Sequence, residues 1–358
     1  MALERCLQLS TMEMPPTTAD WQALYQAAME FKEIEAWTWM YDSDVFGVQN
    51  PASGEIGYCC IMGALGEVFA LALYLGTEGL ESYMRIASES PWDPSKAIET
   101  ALLQKCLMAS FGSREELTRE DRQVIKRLGL KFRGRTALPL FRSYRPAYHP
   151  WYLTADEARF LTLALQQARQ VCLRFQEDPA LFDPPQEGLW FVRVPEETKK
   201  GLSWRDAWLE PSPLEEELPA VTIDELRLAR LKKATPLAQA IWEMDFFLSP
   251  TAVQEKKGQR PYYPYLTMSL DHGSGLVLGT DLASPGTHLA KFPERFLSLA
   301  ERLKRLPAEI WVKKEKAYKL LEPITSHLGI NLYLVDELEA LEEARAAMWE
   351  FMGGPGRP

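Results

Sequence analysis

Apolar residues near the start of the chain follow two different periods. Between residues 20 and 35 they recur every three or four positions, which predicts a helix with one buried face. Residues 37–79 instead hold three short runs of aromatic and β-branched side chains, separated by turn-forming residues at positions 50–54 and 63–66. This pattern predicts a three-stranded antiparallel meander, and the residues after it predict a short helix over 80–88.

Helical spacing continues beyond the meander. It predicts one helix over residues 95–109 and another that begins at 115 or 118 and runs to 127. Gly129 ends the second helix, because glycine tolerates the positive φ that commonly follows a helix. Residues 130–151 lack a helical period and are rich in arginine, proline and aromatic residues.

The clearest helix start in the sequence follows this irregular stretch. Thr154 and Glu157 have the spacing of a capping box, in which each side chain satisfies a backbone N–H at the start of a helix. Residues 190–194 and 204–209 then predict two strands. These strands would extend the meander to a five-stranded sheet.

Beyond residue 221 the pattern changes to three strands followed by alternating helices and strands. The predicted strands cover residues 240–248, 262–270, 276–281, 309–312 and 331–335, and the predicted helices cover residues 293–306, 315–328 and 338–351. This βββαβαβα order is that of ribonuclease H-like domains, an analogy of topology that carries no function with it. The proline-rich and acidic residues 211–221 predict a linker. We therefore predict an α+β protein with a meander domain (residues 1–210) and a mixed-sheet domain (residues 222–358).

Composition bears on the number of domains and on whether the protein is membrane-bound, secreted or metal-binding. The chain has 358 residues, more than one hydrophobic core usually organises, and 46% of them are apolar. No apolar run approaches the roughly 20 residues that cross a bilayer, and residues 1–14 lack a secretory pattern, so we expect a cytoplasmic protein without a membrane partner. The five cysteines indicate neither a disulfide framework nor a zinc site, because they are odd in number and mostly lie in apolar runs. We expect no cofactor.

Charge is unevenly distributed along the chain. Residues 221–358 hold 18 basic and 18 acidic residues, so the other 22 basic and 32 acidic residues, and the whole net charge of −10, fall in residues 1–220. Within that acidic part, residues 119–145 hold nine Lys and Arg against two acids, Glu120 and Asp121. This local reversal of sign is the most unusual feature of the composition.

The basic stretch and the aromatic residues beside it give the main functional hypothesis, a non-catalytic binding surface within residues 119–152. The predicted binding residues are Arg133, Arg135, Arg142, Tyr144, Arg145, Tyr148, His149 and Trp151. Arginines mixed with aromatic rings suit an anionic partner, either a nucleic acid or an acidic protein. The alternative is that these arginines pair with acids of their own domain while the aromatic residues pack inward.

An enzyme is the competing class. Nucleases with ribonuclease H-like topology use converging acids to hold two Mg²⁺ ions, and Asp245, Asp281 and Glu294 are the acids available for such a metal site. Lys313 and Lys314 follow the fourth predicted strand, where these nucleases carry an acid, and a cation there opposes metal binding. A hydrolase whose site assembles from distant residues is left open. We predict no specific catalytic residue.

Four segments resemble a family of bacterial proteins. They are Trp37-Thr-Trp-Met-Tyr-Asp-Ser-Asp-Val-Phe-Gly-Val, Met62-Gly-Ala-Leu-Gly-Glu, Tyr74-Leu-Gly-Thr-Glu-Gly-Leu and Tyr148-His-Pro-Trp-Tyr-Leu. In this family a Trp-x-Trp meander domain of unknown function precedes a second uncharacterised domain, which residues 226–352 resemble. The resemblance covers nearly the whole chain and implies no activity.

Overall fold

The computed structural model describes residues 14–88, 99–132, 138–199, 201–214, 218–222 and 224–351. Residues 1–146 and 150–214 form one unit, and residues 147–149 and 215–358 form another. We call them unit 1 and unit 2.

Unit 1 combines the predicted meander with further helices and strands. Its elements in chain order are α1 (Thr18–Glu33), β1 (Phe46–Gln49), β2 (Ile56–Met62), β3 (Phe69–Leu75), α2 (Gly76–Ser88), β4 (Cys106–Gly112), α3 (Arg119–Arg127), β5 (Leu138–Tyr144), α4 (Ala155–Glu177), β6 (Trp190–Thr198) and β7 (Gly201–Leu209). Short 3-10 helices cover Ala36–Thr38, Arg114–Glu116 and Pro179–Phe182. The predicted capping box of Thr154 and Glu157 starts α4, with both reciprocal hydrogen bonds formed.

The described strands of unit 1 form one mixed sheet in the order β5-β4-β3-β2-β1-β6-β7. β1, β2 and β3 pair antiparallel, which confirms the predicted meander, although its first strand begins at Phe46 and Trp37 lies in a 3-10 helix. β6 pairs parallel with β1 and antiparallel with β7. The sheet therefore has seven strands, where the sequence predicted five.

One prediction for unit 1 was wrong in part, and one strand was not predicted. In the helix predicted over residues 95–109, residues 99–102 are helical, but β4 begins at Cys106, and residues 95–98 lie outside the described part of the chain. Residues 130–151, for which no element was predicted, contain β5. A short apolar run that is buried on both faces loses the alternation of a half-buried strand, so its period does not distinguish strand from helix. Pro139 is tolerated in β5 because β5 lies at the edge of the sheet.

Helices cover both faces of the unit 1 sheet. α1 and α4 pack on one face through side chains such as Leu24 and Leu161, and α2 packs on the other face near Tyr58. Cys59 and Cys60 belong to the cores on opposite faces, as adjacent residues of a strand must. The cysteines that the structure describes are free thiols, and all of them are buried.

Unit 2 follows the predicted order of elements closely. Its elements are α5 (Glu225–Ala234), β8 (Leu237–Leu248), β9 (Tyr265–Asp271), β10 (Leu276–Ala283), α6 (His288–Leu303), β11 (Leu306–Val312), α7 (Glu315–Leu328), β12 (Asn331–Leu334) and α8 (Glu339–Phe351). Each strand and helix predicted in this region overlaps one of these elements. Helix α5 was not predicted.

The sheet of unit 2 has the strand order β10-β9-β8-β11-β12. β8, β9 and β10 pair antiparallel, whereas β11 lies parallel to both β8 and β12. The elements follow the predicted βββαβαβα order, and together with unit 1 they confirm the α+β class. Helices α5, α6 and α7 contribute to the core on one face of the sheet, and α8 packs on the other face.

Among the described helices, none combines the length and apolar character needed to span a membrane.

Candidate basic groove

Helix α3 holds much of the positive charge that the sequence places in residues 119–145. The Thr118 hydroxyl accepts a hydrogen bond from the Asp121 backbone N–H at 3.2 Å, and the Asp121 carboxylate accepts one from the Thr118 N–H at 2.9 Å. This capping box fixes the start of α3. Gly129, with a φ of 67°, follows its C-terminal end as predicted. The Lys and Arg side chains of α3 are exposed to solvent, whereas Asp121 is half-buried.

A groove of about 520 Å³ lies beside α3 and the start of β5. Its floor is apolar and consists of Leu117, Ile125, Leu130, Phe132 and Leu138. Its rim is basic and consists of Arg114, Arg122, Lys126 and Lys131, which are all exposed. We call this site the basic groove.

The floor of the basic groove is anchored in the body of unit 1. Leu117 and Leu138 are buried and pack with Leu140, and the half-buried Ile125 and Phe132 pack against them. The groove therefore offers partly exposed apolar surface on a supported base, which is the usual construction of a ligand site.

The cations of the rim form no ion pair with any acid among the described residues. Arg122 donates from Nη2 to the backbone carbonyl of Arg114 at 3.3 Å, so its guanidinium is held beside a second rim residue. Four positive charges that no described acid contacts raise the potential over the groove and attract anions.

Two arginines of the predicted binding set have acidic partners instead. Arg142 donates to the two carboxylate oxygens of Asp121 at 3.0 and 2.6 Å, and its guanidinium lies 5.3 Å from the centre of the Tyr152 ring. Arg145 lies 3.4 Å from the Glu157 carboxylate. Burial raises the pKa of Asp121, but the hydrogen bonds and charge of Arg142 outweigh burial and hold that pKa below its ordinary value.

The aromatic residues of the predicted set that lie in unit 1 are half-buried. Tyr144 packs with the core on the face covered by α2, and burial raises the pKa of its hydroxyl. The ring of Trp151 lies 5.1 Å from that of Tyr152. Neither Tyr144 nor Trp151 lines the basic groove.

The remaining members of the predicted set lie elsewhere. Tyr148 and His149 belong to unit 2. There the Arg260 guanidinium lies 5.7 Å from the centre of the Tyr148 ring, and Arg260 Nε donates to the His149 carbonyl at 2.8 Å. Arg133 and Arg135 fall outside the described residues.

Sequence reasoning identified the basic groove only in part. Arg122, Lys126 and Lys131 were counted within the basic stretch but were not named as binding residues, and Arg114 and the apolar floor were missed. A usable signal was the spacing of Arg122 and Lys126, because residues four positions apart lie on the same side of a helix.

The central acid of the nuclease hypothesis is paired with a lysine. Asp245 lies on β8 with 5% of its surface exposed, and Lys314 Nζ donates to its two carboxylate oxygens at 3.0 and 2.9 Å. Lys314 also donates to the backbone carbonyl of Phe246. The cation that the sequence places after the fourth strand of this domain is therefore the direct partner of Asp245.

The other two acids lie beside different cations. Arg227 donates to both oxygens of Glu294 at 2.6 and 3.0 Å. Asp281 is exposed, and its carboxylate lies 3.9 Å from Arg295 Nη2. Across the part of the chain that the structure describes, no three His, Cys, Asp or Glu side chains are placed to hold a metal ion together.

Family models match both parts of the chain. Residues 21–193 match the model described as Domain of unknown function (DUF7309), and residues 227–349 match the model described as Domain of unknown function (DUF6930). A comparison with curated proteins found no match. These two matches confirm the resemblance to a pair of uncharacterised domains. The chain therefore contains a region that matches DUF7309, followed by a region that matches DUF6930.

Proposed function

We propose that this protein binds an acidic, partly apolar peptide segment of another protein in the basic groove and does not itself catalyse a reaction. The observation that carries the proposal is an apolar floor together with four rim cations that pair with no acid among the described residues. Acidic side chains of the partner would neutralise the rim, and its apolar side chains would cover the floor. A segment with both kinds of residue matches the groove better than a uniformly charged one.

Single-stranded nucleic acid is the less favoured anionic partner. Proteins that bind it present aromatic rings on which bases stack. Phe132, the aromatic residue in the lining, is half-buried and packs 6.1 Å from the ring of Tyr25. Tyr144 and Trp151 are half-buried outside the groove. Of the four arginines that supported nucleic-acid binding in the sequence, Arg142 and Arg145 are engaged by acids, and Arg133 and Arg135 lie outside the described residues.

The direct test is fluorescence anisotropy with labelled peptides of about 12 residues, a length suited to recognition in a groove. One peptide carries Asp and Glu interspersed with Leu and Phe, a second replaces the Leu and Phe by Ser, and a third replaces the acids by Lys. We expect the first to bind most tightly, the second more weakly, and the third not at all. Labelled single-stranded and duplex DNA are measured beside them, and DNA binding tighter than that of the first peptide would contradict the proposal.

Charge reversal locates the binding surface. The variant with Arg122, Lys126 and Lys131 changed to Glu should weaken binding of the acidic peptide by about 100-fold at low salt, because each reversal replaces attraction with repulsion. The matched control changes Arg85, Arg169 and Lys199 to Glu, three exposed basic residues of unit 1 outside the groove. Equal losses in the two variants would show that net charge alone drives binding and would refute a specific groove.

The apolar floor is tested separately. Ile125 is half-buried in the floor, and changing it to Asn should reduce affinity for the Leu- and Phe-containing peptide while leaving the weaker binding of the Ser-containing peptide unchanged. Thermal unfolding of the variant confirms that it remains folded.

Our proposal also places the protein in the bacterial cytoplasm. This expectation rests on the sequence pattern and the family resemblance.

A further inference from the structure

A second site lies in unit 2, independent of the basic groove. Strands β9 and β10 and helix α6 enclose a pocket of about 130 Å³. Two arginines of α6, Arg295 and Arg302, line the pocket together with hydroxyl side chains of the sheet and the helix. We call it the β9–β10 pocket.

The pocket is lined by a buried polar group that no described residue satisfies and by hydroxyl side chains. Thr267 and Ser269 are two residues apart on β9 and therefore lie on the same face of the sheet, and each is only 4% exposed. Neither hydroxyl makes a hydrogen bond to another described residue. Nη1 of Arg295 is also buried without a hydrogen-bond partner among the described residues. Buried donors are nearly always paired, so the unpaired Nη1 of Arg295, in a pocket that two hydroxyl side chains also line, marks a candidate ligand site.

Both arginines are held in place by the edge strand. Arg295 Nη2 donates to the carbonyl of Leu282 at 2.7 Å, and Arg302 Nη2 donates to that of Leu278 at 2.9 Å. These bonds orient the guanidinium groups before any ligand arrives, which lowers the entropy lost on binding.

Gly279 makes the approach of Arg302 possible. A Cβ atom at this position would lie 2.9 Å from Arg302 Nη2 and 3.2 Å from Leu299 Cδ1. Gly279 sits directly opposite Ser269 in the sheet, after an irregularity in the pairing of β10 with β9. The missing side chain therefore leaves room for the guanidinium at the wall that also carries a buried hydroxyl.

Charge and size define the ligand. Two guanidinium groups face one acid, Asp281, at 3.9 Å from Arg295, so the lining has a net positive charge. The volume equals that of about four waters, each of which occupies about 30 Å³ in the liquid, and this suits one compact ion. Guanidinium groups bind the oxygens of phosphate-like anions with matched geometry, and hydroxyl groups can donate to the same oxygens.

We infer that the β9–β10 pocket binds a tetrahedral oxyanion of the phosphate or sulfate class, either as the free ion or as the terminal phosphate of a larger molecule. Thr267, Ser269, Arg295 and Arg302 are the residues that contact it. Because this site lies in unit 2 and uses none of the residues of the basic groove, it stands or falls independently of the peptide-binding proposal.

Isothermal titration calorimetry of the full chain with inorganic phosphate, with sulfate and with chloride tests the assignment. We expect phosphate and sulfate to bind and chloride not to bind. The Arg302→Gln and Thr267→Val variants should each weaken oxyanion binding by about tenfold, since each removes a hydrogen-bond donor to a charged ligand. The matched control is Arg305→Gln, an exposed arginine close to Arg302 in sequence but outside the pocket, and it should bind as the wild type does.

Further measurements test the location of the site and identify its ligand. The variant with Arg122, Lys126 and Lys131 changed to Glu should keep its oxyanion affinity, whereas loss of affinity in that variant would move the site to the basic groove and overturn the assignment. No binding of phosphate or sulfate by the folded wild type at about 10 mM would also overturn it. A phosphate monoester that binds more tightly than the free ion identifies the terminal phosphate of a larger ligand as the occupant, and equal affinity identifies the free ion.

Discussion

Two groups of basic residues lie close together in the sequence of unit 1, but they differ in their burial and in their contacts with acids. Arg142 and Arg145 are half-buried and each contacts a carboxylate. The rim cations of the basic groove, such as Arg122 and Lys126, are exposed and have no acidic partner among the described residues. The first group holds the fold together, and the second remains available to a ligand. A count of charges in the sequence cannot make this distinction.

Unit 2 contains a cation, Lys314, whose acidic partner is more deeply buried than that of Arg142, and its removal should have the largest effect. Changing Lys314 to Met leaves the Asp245 carboxylate in a buried position without the ammonium group that contacts it. Because removing one partner of an ion pair is costly when the other partner is a buried acid, we expect a loss of about 3 kcal/mol in the free energy of unfolding. Urea denaturation measures this loss.

The neighbouring Lys313 provides the control for that experiment. Lys313 contacts Glu342 at 2.6 Å, but both side chains are well exposed. Lys313→Met should therefore cost less than about 1 kcal/mol. Equal losses of unfolding free energy in the two variants would contradict the distinction between a lysine that pairs with a buried acid and one that pairs with an exposed acid.

The next largest effect should come from Arg142. Changing Arg142 to Gln removes both hydrogen bonds to Asp121, the residue that also caps α3. The pair is only partly buried, so we expect a loss of about 2 kcal/mol in unfolding free energy, between the values for exposed and buried pairs. Arg122→Gln, in the rim, should change stability by no more than about 0.5 kcal/mol. A rim substitution as costly as Arg142→Gln would show that the rim is structural.

Acid should remove the contribution of the Arg142 pair. The pKa of Asp121 is lowered in the folded state, so the pair stabilises the protein fully above the unfolded-state pKa, near 4, and less as the pH falls through the lower folded-state value. The difference in unfolding free energy between the wild type and Arg142→Gln should therefore shrink from pH 5 towards pH 2. Urea titrations over this range measure it, and a difference that stays constant would exclude Asp121 as the partner that matters.

The smallest effect concerns a single rim residue. Lys126→Gln should weaken binding of the acidic peptide only about threefold, because one exposed charge contributes a fraction of the total attraction. Its unfolding free energy should stay within about 0.5 kcal/mol of the wild type. Anisotropy and urea denaturation on the same sample measure both quantities. A large stability loss without a change in affinity would reverse the roles assigned to the two groups.

Sequence periodicity predicted unit 2 better than unit 1. In unit 2 each predicted element overlaps an observed one, because its strands and helices alternate and are separated by clear turn residues such as those at Asp271 and Gly275. In unit 1, β4 was mistaken for a helix and β5 was missed. β4 lies inside the sheet with both faces covered, so its sequence is a short apolar run without alternation.

The candidate sites were predicted less well than the fold. The basic stretch overlaps the basic groove, but most of the residues selected there were chosen for arginine and aromatic content. Tyr144 and Trp151 prove to be half-buried, and Arg142 is held by Asp121. The β9–β10 pocket was not predicted at all, since Thr267 and Ser269 are ordinary strand residues until the arginines of α6 are placed above them.

The sequence by itself determined the features that depend on residues a few positions apart. The capping boxes at Thr118 and Thr154 and the helix end at Gly129 are of this kind, because helix capping involves neighbours within a single turn. Only the tertiary structure decided which charges are neutralised. Lys314 and Asp245 are 69 positions apart in the chain, and their pairing depends on the distance between side chains in space after the strands have assembled.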